Sequence, residues 1–137
     1  MRVVIDTNVV ISSFRGGNPK AILQMVDRGE IIMCISPSII EEYVRVLHRL
    51  GIEKEKIERF LFYFENATTV IVSDNTTPIH IVEKDPHDDK FIECAVVAKA
   101  LYIITGDKAL LEVGSYNNIS IVTPKEFLIL FKDEPRS

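Results

Sequence analysis

Two short apolar runs, each followed at once or nearly so by an acid, constrain this chain more than any other feature. Val3-Val4-Ile5 leads into Asp6, and Leu101-Tyr102-Ile103-Ile104 leads through Thr105-Gly106 to Asp107. A strand with one wet face alternates apolar and polar residues, whereas an unbroken apolar run belongs to a strand covered on both faces. In an open parallel sheet, ligands bind at the carboxyl ends of the strands. Asp6 and Asp107 therefore stand where chemistry is expected. Glu42, in Glu41-Glu42-Tyr43, and Asp89, in Asp88-Asp89-Lys90-Phe91, fall where a parallel α/β fold would bring them to the same rim. Acids gathered without a paired base repel one another unless a cation lies among them. The pattern points to a metal site.

The rest of the chain alternates in the same way. Strands are predicted at Arg2–Ile5, Glu30–Ile35, Thr68–Val72, Leu101–Thr105 and Ile119–Val122. Short helical structure should follow Asp6 through Ser13, and Pro19 should open a helix that stops near Gly29. Ser36-Pro37 supplies a capping serine and a helix-opening proline for a helix to about Leu50. Further helices are expected over Lys54–Glu65, from about His87 to Lys99 after Pro86, over Lys108–Val113, and from Pro124 to Phe131. Ser73 to Glu83 reads as a connector. Such alternation implies a single-domain α/β/α sandwich around a five-stranded, mostly parallel sheet. The domain should span residues 1–131, with 132–137 a flexible polar tail.

Composition narrows the function classes. A chain of 137 residues, 47% hydrophobic and 26% charged, fits one soluble domain with a single core. No apolar run nears the roughly 20 residues that a spanning helix needs. Asp6 interrupts what would be a signal peptide's apolar region, so a cytoplasmic protein with no membrane attachment is expected. Cys34 and Cys94 lie in apolar stretches and read as small buried hydrophobes. The net charge of −4 argues against a non-specific nucleic-acid binder, unless bound cations neutralise several acids.

Each candidate acid has a plainer reading beside the functional one. Asp6 could cap the next helix, but Thr7 or Asn8 could do so instead and leave Asp6 free. Asn8 could orient Asp6 or a bound water. On the third helix, Ile39, Tyr43, Val46, Leu47 and Leu50 form an apolar stripe at about 100° per residue. Glu41 faces away from that stripe and has capping-box spacing from Ser38, whereas Glu42 falls at the stripe's edge, where a carboxylate reaches a cleft rim. Asp85-Pro86-His87-Asp88 looks like a helix start, with Asp85 and Asp88 as capping residues, while Asp89 points toward the side of Ile92 and Val96. Asp107 could cap the helix at Lys108; the first and fourth strands should be neighbours at the switch point of a doubly wound sheet, which puts it beside Asp6. Gly106 should let the chain turn tightly there.

Other motifs are missing. His48, His80 and His87 have no ligand spacing, Gly16-Gly17 lacks the lysine of a phosphate loop, and no serine or cysteine lies in a nucleophile elbow. Phe60, Phe62, Tyr63 and Phe64 are more aromatics than one helix face needs, which suggests either core packing or a protein-binding surface.

Val4-Ile5-Asp6-Thr7-Asn8-Val9, Glu42-Tyr43-Val44-Arg45-Val46-Leu47, Asp88-Asp89-Lys90-Phe91-Ile92 and Ile104-Thr105-Gly106-Asp107-Lys108 together resemble the PIN domain. The likeness is greatest to the branch described as the toxin component of bacterial and archaeal toxin–antitoxin pairs. It implies a sheet of order 3-2-1-4-5 and a metal-dependent ribonuclease using Mg²⁺ or Mn²⁺. Carried over by position, it implies that Asp6, Glu42, Asp89 and Asp107 are the catalytic acids and metal ligands, with Asn8 and Thr105 as polar helpers. It also implies an RNA substrate, an antitoxin partner and a homodimer.

Competing readings are weaker. A phosphotransferase of the haloacid dehalogenase type wants a second Asp two residues after the first, where this chain has Asn8. A phosphoaspartate receiver wants an acid pair near the first strand and a phosphoacceptor at the third, and Ser73-Asp74 matches poorly. An RNA-processing nuclease outside toxin–antitoxin systems and a non-catalytic interaction module are the remaining alternatives.

Overall fold

Strand pairing follows the buried apolar runs. Val3, Val4 and Ile5 have no exposed surface. They belong to β1 (Arg2–Ile5), which pairs in parallel with β2 (Ile32–Ile35) on one side and β4 (Tyr102–Ile104) on the other. This computed structural model describes residues 1–66, 69–72 and 89–133. Outside the central three strands, β2 pairs with β3 (Thr69–Ile71) and β4 with β6 (Ile119–Val122), again in parallel. The sheet order is β3-β2-β1-β4-β6-β5.

The predicted order of the five parallel strands is the observed one, but the sheet has six strands. The addition is β5 (Ser115–Tyr116), antiparallel to β6 at the edge. Asn117 and Asn118 join the two with φ of 47° and 66°. A two-residue hairpin turn of this hand needs positive φ at both positions, and asparagine tolerates it better than most residues. The Asn-Asn pair was the sequence's only cue to this strand.

The helices are α1 (Thr7–Ser13), α2 (Gly17–Asp27), α3 (Pro37–Arg49), α4 (Lys54–Asn66), α5 (Asp89–Ala98), α6 (Lys108–Val113) and α7 (Pro124–Asp133). Ser36 caps α3 as predicted, accepting from the Ile39 N–H at 3.4 Å with Pro37 in the first turn. By contrast, α2 opens at Gly17, so Pro19 lies within its first turn instead of starting it. The missing proline N–H has no helical partner to lose there. The helix α7 reaches Asp133, beyond the expected end at Phe131. The predicted connector Ser73 to Glu83, the Asp85-Pro86 helix start and His80, His87 and Asp88 lie outside the described residues. Among the described residues, no helix is long and apolar enough to cross a membrane.

The core sits between the sheet and its helices. Phe91, Ile92, Ala95 and Ala98 bury one face of α5, which packs across β1, β2 and β4. The helix α1 packs on α2 and α3, and α2 meets α7. Cys34 and Cys94 are buried free thiols, and burial pushes Cys34 up to about 11, as expected of an inert packing residue. Phe60 is half-buried and Phe62 is exposed, whereas the side chains of Tyr63 and Phe64 lie outside the described residues. Leu50, assigned to the α3 stripe, is also exposed, because it lies past the helix end.

Two features aim this fold at one place. Strand order reverses between β1 and β4, which opens a crevice at their carboxyl ends. Beside it, the fully buried Tyr43 of α3 donates its hydroxyl to the Ile5 carbonyl. Tyr43→Phe is expected to lower unfolding stability by about 1–2 kcal/mol, since a buried acceptor loses its donor. Urea denaturation measures this, and an unchanged midpoint would show that the bond contributes nothing.

Candidate active site

β1 and β4 end in register, Ile5 opposite Ile104, so the residues leaving them emerge side by side. The Asp6 N–H donates to the Ile104 carbonyl at 2.9 Å. Asp6 occupies the N-cap position of α1, yet its side chain does not cap that helix. It accepts instead from the Thr105 hydroxyl, 2.6 Å from Oδ2. Thr105 Oγ1 itself accepts from the Asp107 N–H at 2.9 Å, which leaves the hydroxyl proton for Asp6. Asp107 does cap its helix: the Leu110 N–H donates to Oδ2 at 3.1 Å. Among the described residues, Asp107 Oδ1 accepts no hydrogen bond.

Glu42 arrives from α3, at the edge of the stripe that buries Ile39, Tyr43 and Leu47. Its side chain is only 15% exposed, and both oxygens are held. The Thr7 hydroxyl donates to Oε2, and the Lys90 ammonium donates to Oε1 at 2.8 Å. Glu41 faces solvent and lies 3.9 Å from Arg45. Because Ser36 caps α3, the capping-box role weighed for Glu41 with Ser38 is not filled.

Electrostatics link three of the acids. Burial first, then the charges of Glu42 and Asp107, push the Asp6 carboxyl up from 3.8 to about 6, against the pull of hydrogen bonds from the Thr105 hydroxyl and the Thr7 backbone. Asp89 is buried as the first residue of α5, next to Lys90. Lys90, the residue after it, is the one that holds Glu42. Asn8 is exposed and, among the described residues, its side chain makes no hydrogen bond, to Asp6 or otherwise. Gly106 has no positive φ, and a Cβ there would meet nothing within 4 Å. The turn therefore does not demand glycine; the space in front of it is open.

Thr7 and Lys90 are the residues that sequence reasoning passed over. Each adjoins a proposed acid, Thr7 after Asp6 and Lys90 after Asp89, yet each reaches across to Glu42.

The donor set suits a hard divalent cation. Carboxylate oxygens are the ligands that Mg²⁺ and Mn²⁺ prefer, and a buried acid pushed up by two like charges is relieved by positive charge beside it. Among the described residues, no three Asp, Glu, His or Cys side chains stand grouped to hold one ion together. Both oxygens of Glu42 are already engaged, by Thr7 and by Lys90.

The sequence model of the PIN domain matches residues 2–109, from β1 into α6, and so spans all four acids. The chain belongs to the PIN domain family. PIN domains are generally nucleases acting on nucleic acid, and generally use divalent metals. Among solved structures, this PIN domain is similar in fold to VapBC2 from Rickettsia felis, bound there to a DNA fragment from their promoter. That likeness has a TM-score of 0.59 at 13% identity and covers 88% of this chain and 97% of the other. It is also similar to FitAcB from Neisseria gonorrhoeae, with a TM-score of 0.51 at 14% identity, covering 90% of this chain and 98% of the other. Comparison with curated proteins returned no match.

Asp6 binds its proton more tightly in the folded chain than in the unfolded one, so ionising it costs stability as pH rises from 3.8 through about 6. Without metal, Asp6→Asn is expected to raise stability at pH 8 by about 3 kcal/mol, a gain that fades as pH falls from about 6 and is gone below 3.8. Denaturation in chelator across this range measures the difference. A gain that does not depend on pH would contradict the assigned cause.

Proposed function

We propose that this PIN domain, over residues 1–131, is a ribonuclease that hydrolyses RNA phosphodiester bonds. Asp6, Glu42, Asp89 and Asp107 would hold Mg²⁺ or Mn²⁺, and the chain would act in the cytoplasm as the toxin of a toxin–antitoxin pair, as a homodimer. The observation that carries the catalytic part is the buried Asp6 carboxylate, pushed up by burial and by the charges of Glu42 and Asp107, at the crevice of a parallel sheet. The toxin part is supported by the motif resemblance to that branch.

The residues divide the work by geometry. Thr105 fixes the rotation of the Asp6 carboxylate, and the Asp107 N–H fixes Thr105. Asp107 is held by its own helix through Oδ2, which leaves Oδ1 for a ligand. Thr7 and Lys90 hold Glu42 at the rim, and Lys90 offsets one negative charge there. A divalent ion, when bound, lowers the pKa of a water and stabilises charge on phosphoryl oxygens. In this reading the nucleophile is water: it would attack phosphorus and give up a proton to solvent, and the leaving oxygen would depart as the P–O bond breaks and take a proton from solvent.

Purified chain incubated with structured and unstructured RNA should cleave it in Mg²⁺ or Mn²⁺ and not in chelator. Asp6→Asn should abolish cleavage, and Thr105→Val should slow it about 10- to 100-fold, as the loss of a ligand-orienting hydrogen bond does. Cleavage by Asp6→Asn at the native rate would end this reading. The toxin role is separable: expression should arrest growth, the Asp6→Asn chain should not, and the product of a neighbouring gene should relieve the arrest.

A further inference from the structure

A cavity of about 300 Å³ lies away from the carboxylates, lined by Ser13 and Phe14 past α1, Leu23 of α2, and Lys56, Arg59 and Phe60 of α4. Its composition is unusual for a packing defect. Phe14 and Phe60 meet edge to face with ring centroids 5.7 Å apart, and Phe14 remains 38% exposed. Lys56, Arg59 and Phe60 fall within one turn of α4, so both cations stand on the face that carries the aromatic ring. Among the described residues, neither Lys56 nor Arg59 has a carboxylate partner, although the chain carries 20 acids to 16 Lys and Arg.

The cavity is also tied to the acid cluster. The helix α1 has Thr7, which holds Glu42, at one end and Ser13, which lines the cavity, at the other. At 1.5 Å per residue that is about 9 Å. On the other side, the Phe60 ring lies 6.1 Å from that of Tyr43, the neighbour of Glu42. We infer that this cavity is a nucleotide subsite, seating an unstacked base of single-stranded RNA against Phe14 while Lys56 and Arg59 hold the adjoining phosphates. Stacking on an aromatic face needs no particular base, and an exposed lysine and arginine give charge complementarity to a backbone that the chain's net charge would otherwise repel. A base held inside a duplex cannot enter, which makes the subsite selective for unpaired RNA. This deepens the ribonuclease reading and rests on it.

The test is binding of a short, fluorescein-labelled single-stranded RNA in chelator, followed by anisotropy over a range of salt. Phe14→Ala should weaken binding roughly 5- to 150-fold, and Phe14→Tyr, which keeps the ring, should restore it. A Lys56→Gln/Arg59→Gln double variant, altered only at exposed positions, should flatten the salt slope of log Kd by about 1.4, at about 0.7 for each phosphate contact on a single strand. Native affinity and native salt slope in both variants would overturn the subsite, and would leave a protein segment as the better occupant. Hydrolysis of a small chromogenic phosphodiester by the native chain in Mn²⁺ reports on the acid cluster alone. Its absence would sink the ribonuclease reading whatever the RNA binding shows, whereas its presence with unaltered binding in the variants would sink only the subsite.

Discussion

Everything at the cleft depends on one carboxylate being held where charge is costly. Asp6 directly follows Val3, Val4 and Ile5, none of which has exposed surface, and the fold places two more acids within electrostatic reach of it. A sequence selected for stability alone would put an apolar or neutral residue there. The strain is countered locally by the Thr105 hydroxyl and not removed, which is the usual signature of a functional position. Parallel pairing makes this arrangement possible, because it brings the ends of β1 and β4 to one level and opens the crevice between them.

The site's second half is neutralised differently. Glu42 is held by Thr7 and Lys90, so its charge is offset by the protein itself. Asp6 and Asp107 have no such cation among the described residues, and theirs is the charge that a metal would balance. The net charge of the chain is then a poor guide to what it binds. A whole-molecule sum hides both the acids gathered at the cleft and the cations on α4, and it is the local distribution that a phosphate backbone meets.

Much of the fold was legible in the sequence because it rests on short-range physics. Apolar or β-branched runs marked the parallel strands, Ser36-Pro37 marked the start of α3, and the edge position of Glu42 followed from helical periodicity. The places of Asp6, Glu42 and Asp107 in the fold were legible for the same reason: each lies at the end of an element or at the edge of a stripe. What stayed hidden was tertiary. Nothing in the sequence says that Thr7 and Lys90 reach for Glu42, since each sits beside a different acid in the chain. Asn8, given a helper's role by position, turns outward, because it lies about 100° round the helix from the buried Thr7. The small β5 strand was hidden by its length, and only the paired asparagines of its turn announced it.

The central claim is that acids brought together by the fold share a divalent cation. Anomalous diffraction from crystals of the native chain soaked in Mn²⁺ would test it most directly. The account predicts a peak in the crevice between β1 and β4, within ligand distance of carboxylate oxygens of Asp6 and Asp107. A fully soaked crystal with no peak there, or with manganese bound only elsewhere on the surface, would contradict it.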